Sequence, residues 1–164
     1  MELHQASVQW VYEAKNLQET EQLAAYFAGQ AKPGTVIALD GDLGAGKTAF
    51  SQLFAKHLGV QGTVNSPTFT LIKEYEGRVP FYHMDVYRLT LEEAEDLGLD
   101  EYFYGDGVTL VEWASIIVDI LPKEVLHIYI EAGAGTERKM VLTGRGEPYE
   151  SWITTLKRNG VGLE

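Results

Sequence analysis

The run Gly41-Asp42-Leu43-Gly44-Ala45-Gly46-Lys47-Thr48 fits the spacing G-x-x-x-x-G-K-[ST] of a phosphate-binding loop. Glycines at these positions let backbone N–H groups approach an anion closely. The lysine then reaches the β and γ phosphates, and the threonine hydroxyl ligates Mg²⁺. Such a loop needs a second acidic group on the metal side, at the end of a neighbouring apolar strand. Two positions qualify: Val108-Thr109-Leu110-Val111 ends in Glu112, and Pro80-Phe81-Tyr82-His83-Met84 ends in Asp85. Either carboxylate reads as a group for the ligand edge of an open α/β sheet or, equally, as a solvated strand end.

Other polar residues lie close by in sequence. Asp42, inside the loop, shapes the turn or positions water, because a carboxylate repels phosphate. His83 shares a strand face with Asp85 and reads as a partly buried, hydrogen-bonded histidine before it reads as a base. Arg88 is either an arginine finger acting in cis or the ion-pair partner of Asp85 or a nearby glutamate. Ser66-Pro67-Thr68 stands where many phosphate-loop proteins place a nucleotide-sensing loop, and is otherwise a proline turn.

These residues need a strand and a helix on either side of the loop. Thr35 to Leu39 is apolar and β-branched, a buried strand, and Ala49 to Leu58 reads as a helix stopped by Gly59. Upstream, Val8 to Tyr12 alternates as a strand. Asn16-Leu17-Gln18-Glu19 is a capping-box-like start for a helix with Leu23, Ala24, Phe27 and Ala28 on one face, ending near Gly29 to Pro33. Thr68 to Tyr75 and Val79 to Val86 form a hairpin around Glu76-Gly77-Arg78. Thr90 caps an acidic helix, Leu91 to Leu97, which Leu99 to Tyr104 continues. Val108 to Val111 is a strand, and Ala114 to Leu121 is helical until Pro122. Val125 to Glu131 and Arg138 to Thr143 form a second hairpin around Gly133-Ala134-Gly135. A last amphipathic helix spans Tyr149 to Arg158. The expected architecture is α/β: a phosphate-loop-type mixed sheet flanked by helices, with added β-hairpins.

The 164 residues, 45% of them hydrophobic, are expected to form one domain, 1–164, with a substantial core. No apolar run approaches membrane-spanning length, and the N-terminus lacks a basic and an apolar signal region. With no cysteine, disulfides and thiolate metal sites are excluded, and a cytoplasmic location is the simplest expectation. Formal charge is −11, and the densest basic cluster is Lys157-Arg158, so strong direct binding of nucleic acid is not expected. There is no N/T-K-x-D guanine signal and no arginine-rich lid. ATP is therefore the expected nucleotide, with a small-molecule kinase as the alternative and a nucleotide-gated binding module as a third class.

Four segments in register resemble the bacterial TsaE (YjeE) family: Gly41 to Thr48, Asn65-Ser66-Pro67-Thr68-Phe69, His83-Met84-Asp85-Val86-Tyr87-Arg88-Leu89, and Val111-Glu112-Trp113. Glu95 to Phe103 resembles the family's link between the last two. The resemblance runs from the Glu19-Thr20 helix start to the second hairpin. It implies an ATPase needed for threonylcarbamoyl modification of the adenosine beside the anticodon of tRNA. It further implies docking on a TsaB–TsaD heterodimer, which holds the tRNA and which ATP hydrolysis resets between turnovers. By the same resemblance, Gly41, Gly44, Ala45, Gly46, Lys47 and Thr48 bind the phosphates, and Thr48 and Glu112 hold Mg²⁺. Lys47, Glu112 and Asp85 then carry catalysis, Asp85 near the attacking water, and Trp113 buttresses Glu112. Asn16, Thr20 and Arg138 are its candidates for the nucleotide base. Ala114-Ser115 stands where many members have Pro-Glu, so no role for that glutamate carries over.

Overall fold

The computed structural model describes residues 7–64 and 71–161. Among them, seven strands form one sheet: β1 (Ser7–Ala14), β2 (Val36–Gly41), β3 (Ile72–Glu76), β4 (Pro80–Asp85), β5 (Val108–Glu112), β6 (Val125–Ala132) and β7 (Arg138–Arg145). Their order is β1-β7-β6-β2-β5-β4-β3. The centre is parallel, with β2 between β5 and β6 and β4 beside β5. Antiparallel pairs close both sides, β3 on β4 and β6 and β1 on β7. The hairpins at Glu76-Gly77-Arg78 and Gly133-Ala134-Gly135 thus form as expected. The Asn65–Phe69 segment and the expected start of the first hairpin at Thr68 lie outside the described residues.

Helices α1 (Leu17–Gln30), α2 (Lys47–His57), α3 (Leu91–Glu95), α4 (Asp100–Phe103) and α5 (Tyr149–Asn159) pack around this sheet. All six residues of β2 are buried, as a central parallel strand covered on both faces requires. Strand alternation divides the core. Ile37, Leu39, Phe81, Leu110 and Ile128 pack with α1, α2 and α5 through Leu23, Phe27, Phe50, Phe54 and Ile153. Val36, Ala38, Met84 and Val111 face the other way, onto Ala94, Phe103 and Ile117. By the same alternation His83, Asp85 and Glu112 point toward α2, while Asp40 and His127 point away from it.

The Asn16 carboxamide caps α1 by accepting from the Glu19 amide (2.9 Å), while the Glu19 carboxylate accepts from the Lys15 amide (2.8 Å). Thr90 and Glu93 complete a reciprocal capping box on α3. Two expectations are corrected. The acidic helix does not continue into the aromatic segment, because Gly98 adopts φ 67°, a left-handed conformation that breaks α3 from α4. Ala114–Ile120 is a 3₁₀ segment, and Ile117 leaves helical geometry at φ −117°, ψ 31°. β-branched Ile116, Ile117 and Val118 crowd a helix, and Pro122 keeps Leu121 extended. No helix of the described residues is long and apolar enough to cross a membrane.

Candidate functional site

The phosphate loop leaves the carboxyl end of β2 and returns as α2. A bond from the Ala45 amide to the Asp42 carbonyl (2.9 Å) closes its turn, so Asp42 acts on the loop through its backbone while its side chain is exposed. Two glycines are required by the packing. A Cβ on Gly41 would stand 2.5 Å from the Ile130 carbonyl oxygen on β6. Gly46 precedes α2 at φ 109° and offers no side-chain cap. The first-turn amides of α2, which have no intrahelical partner, therefore open onto the loop, a positive helix end suited to an anion.

Lys47 is buried. Its ammonium donates to the Gly41 (2.7 Å) and Asp42 (2.9 Å) carbonyls and stands 4.1 Å from the centroid of the Trp113 ring. Burial pushes the Lys47 pKa down, against the pull of Glu112, Asp40, Asp85 and Asp42. Trp113 holds a left-handed backbone, φ 63°, a sparsely populated conformation for a bulky residue. Its ring lies 4.6 Å from that of Tyr87. The ring is thus placed on Lys47, and the hydrogen bonds that support Glu112 come from other residues.

Asp85 and Glu112 are register partners at the adjoining ends of parallel β4 and β5, and Leu39 of β2 pairs with Glu112 on its other side. The sheet thereby sets both carboxylates beside the root of the phosphate loop. Glu112 is 2% exposed. Its Oε2 lies 2.7 Å from His83 Nε2 and accepts from the Ser51 hydroxyl at 3.1 Å. Asp85 is half-buried and accepts from the Tyr87 amide (3.0 Å). Burial, reinforced by the charge of Glu112, raises the Asp85 pKa above the ordinary aspartate value. The Tyr87 amide, His83 and Lys47 offset this only in part. Thr48 lies one turn before Ser51, on the neighbouring part of the same helix face.

Lys47, Thr48, Asp85 and Glu112 therefore gather at one sheet edge. The residues expected near a nucleotide base are more dispersed in role. The Asn16 carboxamide is engaged in capping α1. Thr20 is buried, and its hydroxyl has no hydrogen-bond partner among the described residues. Arg138, at the start of β7, donates through Nε to the Ala45 carbonyl (2.7 Å) and binds the second hairpin to the phosphate loop. Arg88 is exposed and forms no ion pair with Asp85 or a glutamate among the described residues.

Two groups escaped sequence reading. Ser51 joins α2 to Glu112; its one signal is a hydroxyl four residues after Lys47 on a helix face that also carries Phe54 and Ala55. Asp40, buried at the end of β2, accepts from His127 Nε2 (2.7 Å) and the Ser115 amide (3.0 Å). Its signal was an acid ending an apolar strand, the same pattern that singled out Glu112. As a donor set, a threonine hydroxyl and one carboxylate suit Mg²⁺, a hard cation that completes its shell with phosphate oxygens and water.

Residues 14–140 match the family model described as "Threonylcarbamoyl adenosine biosynthesis protein TsaE". The chain is 53% identical over 145 residues to a tRNA threonylcarbamoyladenosine biosynthesis protein TsaE of Bacillus subtilis (strain 168), spanning 88% of this chain and 91% of that one. A Treponema pallidum (strain Nichols) protein of the same description is 38% identical over 130 residues, 79% of this chain and 96% of that one. In three dimensions the chain resembles the crystal structure of Bacillus subtilis YdiB, with TM-score 0.81 and 46% identity, covering 94% of this chain and 98% of that one.

Proposed function

The chain belongs to the TsaE family of tRNA threonylcarbamoyladenosine biosynthesis, and on that footing we propose that it serves the pathway as a Mg²⁺-dependent ATPase. The observation that carries this reading is the Asp85–Glu112 register pair on the same sheet edge as the phosphate-loop lysine. Loop amides and the Lys47 ammonium bind the phosphates, whose charged oxygens are stronger acceptors than the two carbonyls Lys47 now contacts. Thr48 and Glu112 would hold Mg²⁺, which would supply positive charge to offset the negative charge of the phosphates. Asp85 accepts a hydrogen bond from the water that attacks the γ-phosphorus. The bond from that phosphorus to the β–γ bridging oxygen breaks, leaving ADP and phosphate.

The raised Asp85 pKa suits a group that takes a proton from water, since a stronger base results. The chain acts on a TsaB–TsaD heterodimer that holds the tRNA, and hydrolysis resets that complex between turnovers. A charge of −11 supports this division of labour, because direct grip on a polyanion calls for a basic face. In a reconstituted system of chain, heterodimer, tRNA, ATP and Mg²⁺, Lys47→Ala is expected to lower ATP hydrolysis by about 10²–10³-fold and to abolish multiple-turnover modification. Modification at the wild-type level by Lys47→Ala would exclude this function.

A further inference from the structure

We infer that His83 is a positioning residue for Glu112: the imidazole, donating through Nε2–H, fixes the carboxylate that faces the metal side of the site. The inference rests on the reading of Glu112 given above and concerns what holds that group in place. His83 is fully buried on β4. It pairs in register with Leu110, two residues before Glu112 on the same face of β5, so the ring reaches Glu112 diagonally from inside the sheet. Its plane is fixed by stacking on Phe81, with centroids 5.9 Å apart and an interplanar angle of 22°.

One contact accounts for the ring's polarity. Nε2 lies 2.7 Å from Glu112 Oε2, and Nδ1 is buried with no hydrogen-bond partner among the described residues. A carboxylate oxygen needs a donor, so it is Nε2 that presents its proton to Glu112. Leaving a buried nitrogen unpaired is costly, and a leucine would fill the same volume without that cost. What the imidazole supplies, and an apolar residue cannot, is the donor to Glu112.

Ser51 is a weaker holder. Its single proton is within reach of both the Lys47 carbonyl (2.9 Å) and Glu112 Oε2 (3.1 Å), so it serves either. His83 is the undivided donor. Both converge on Oε2, from the sheet below and the helix above, which leaves the other carboxylate oxygen outside these two contacts. Hydrogen bonds to a ligating carboxylate commonly govern metal affinity by 10–100-fold, roughly.

Two measurements test this. In wild-type protein with ¹⁵N-labelled histidine, assigned by comparison with His83→Gln, the His83 resonances should show a proton on Nε2. An Nε2 without a proton would overturn the proposal, and this readout needs no variant to be active. Second, Mn²⁺ binding to the ADP complex is followed by the electron paramagnetic resonance of free Mn²⁺. His83→Leu is expected to raise the Mn²⁺ dissociation constant about 10–100-fold, with affinity for ADP alone little changed. His83→Gln, whose terminal amide has a similar reach, should recover most of the loss. Wild-type metal affinity in His83→Leu, or no recovery in a folded His83→Gln, would overturn the proposal alone. Wild-type ADP affinity indifferent to Mn²⁺ would instead overturn the metal-side reading of Glu112, and the positioning role with it.

Discussion

The carboxyl edge of the sheet carries two carboxylate–histidine pairs on opposite faces, each with its carboxylate buried and closed at 2.7 Å: His83–Glu112 toward α2 and His127–Asp40 away from it. Their surroundings give them different work. Asp40 has both oxygens engaged, one by His127 and one by the Ser115 amide. It ties the root of the phosphate loop on β2 to β6 and to the segment just after Trp113. Burial pushes the Asp40 carboxyl up, but the bonds from His127 and Ser115 more than reverse this and hold it below the ordinary aspartate value. On the α2 face, Glu112 has one oxygen engaged by named donors and shares its edge with Asp85, which is raised by burial and by Glu112 itself. One face has its charge settled by partners, and the other keeps two acids in tension beside a lysine. The same pair chemistry serves as a clamp where both oxygens are engaged, and as a poised site where like charges are crowded together.

Substitutions should separate the faces. The largest effect is expected from Asp85→Asn, which should lower ATP hydrolysis by about 10²–10⁴-fold, measured as phosphate release. Its stability should move the other way. A folded pKa above the unfolded value means that the native state binds more protons between the two, so ionisation costs stability as pH rises through that window. Asp85→Asn removes this cost and should melt slightly above wild type at pH 7, with the difference fading below the unfolded aspartate pKa of about 3.9. Persistence of tRNA modification despite lost hydrolysis would identify a nucleotide-gated module instead.

Next in size is Asp40→Ala, which leaves the Ser115 amide and His127 without their acceptor. It should cost about 1–3 kcal/mol, read as a fall of several degrees in Tm. The sign of its pH dependence is opposite to that of Asp85. A depressed folded pKa contributes stability above the unfolded value, and this is lost as pH falls through the folded one. The gap between wild type and Asp40→Ala should therefore narrow in acid. A gap that widened in acid would erase the distinction between the faces. The smallest effect belongs to His127→Ala, about 1 kcal/mol or less, because His127 is 34% exposed and water can replace much of its contact.

The phosphate loop is legible in sequence because its glycines, lysine and threonine are local, and because strand and helix periods flank it. Alternation along β4 likewise puts His83 and Asp85 on one face by residue spacing alone. The partners of these groups are not legible, because they depend on strand order. Asp40 meets His127 only because β6 lies beside β2, across 87 residues of sequence. Arg138 reaches Ala45 only because the second hairpin folds back over the loop, 93 residues away. Trp113 is marked by its neighbour Glu112, but a left-handed backbone at tryptophan has no sequence signature, so its place over Lys47 emerges only in the folded chain. Gly98 does carry a helix-breaking signal, outweighed there by the apolar pattern on either side.

A crystal structure with Mg²⁺ and a non-hydrolysable ATP analogue tests the central claim most directly. The account requires the β and γ phosphates on the Gly41–Thr48 loop, with Lys47 moved from the Gly41 and Asp42 carbonyls onto phosphate oxygens. Thr48 should ligate the metal, Glu112 should reach it directly or through one water, and Asp85 should face a water in line with the γ-phosphorus. Phosphates bound elsewhere, with Lys47 still on its own loop and no metal between Thr48 and Glu112, would contradict it.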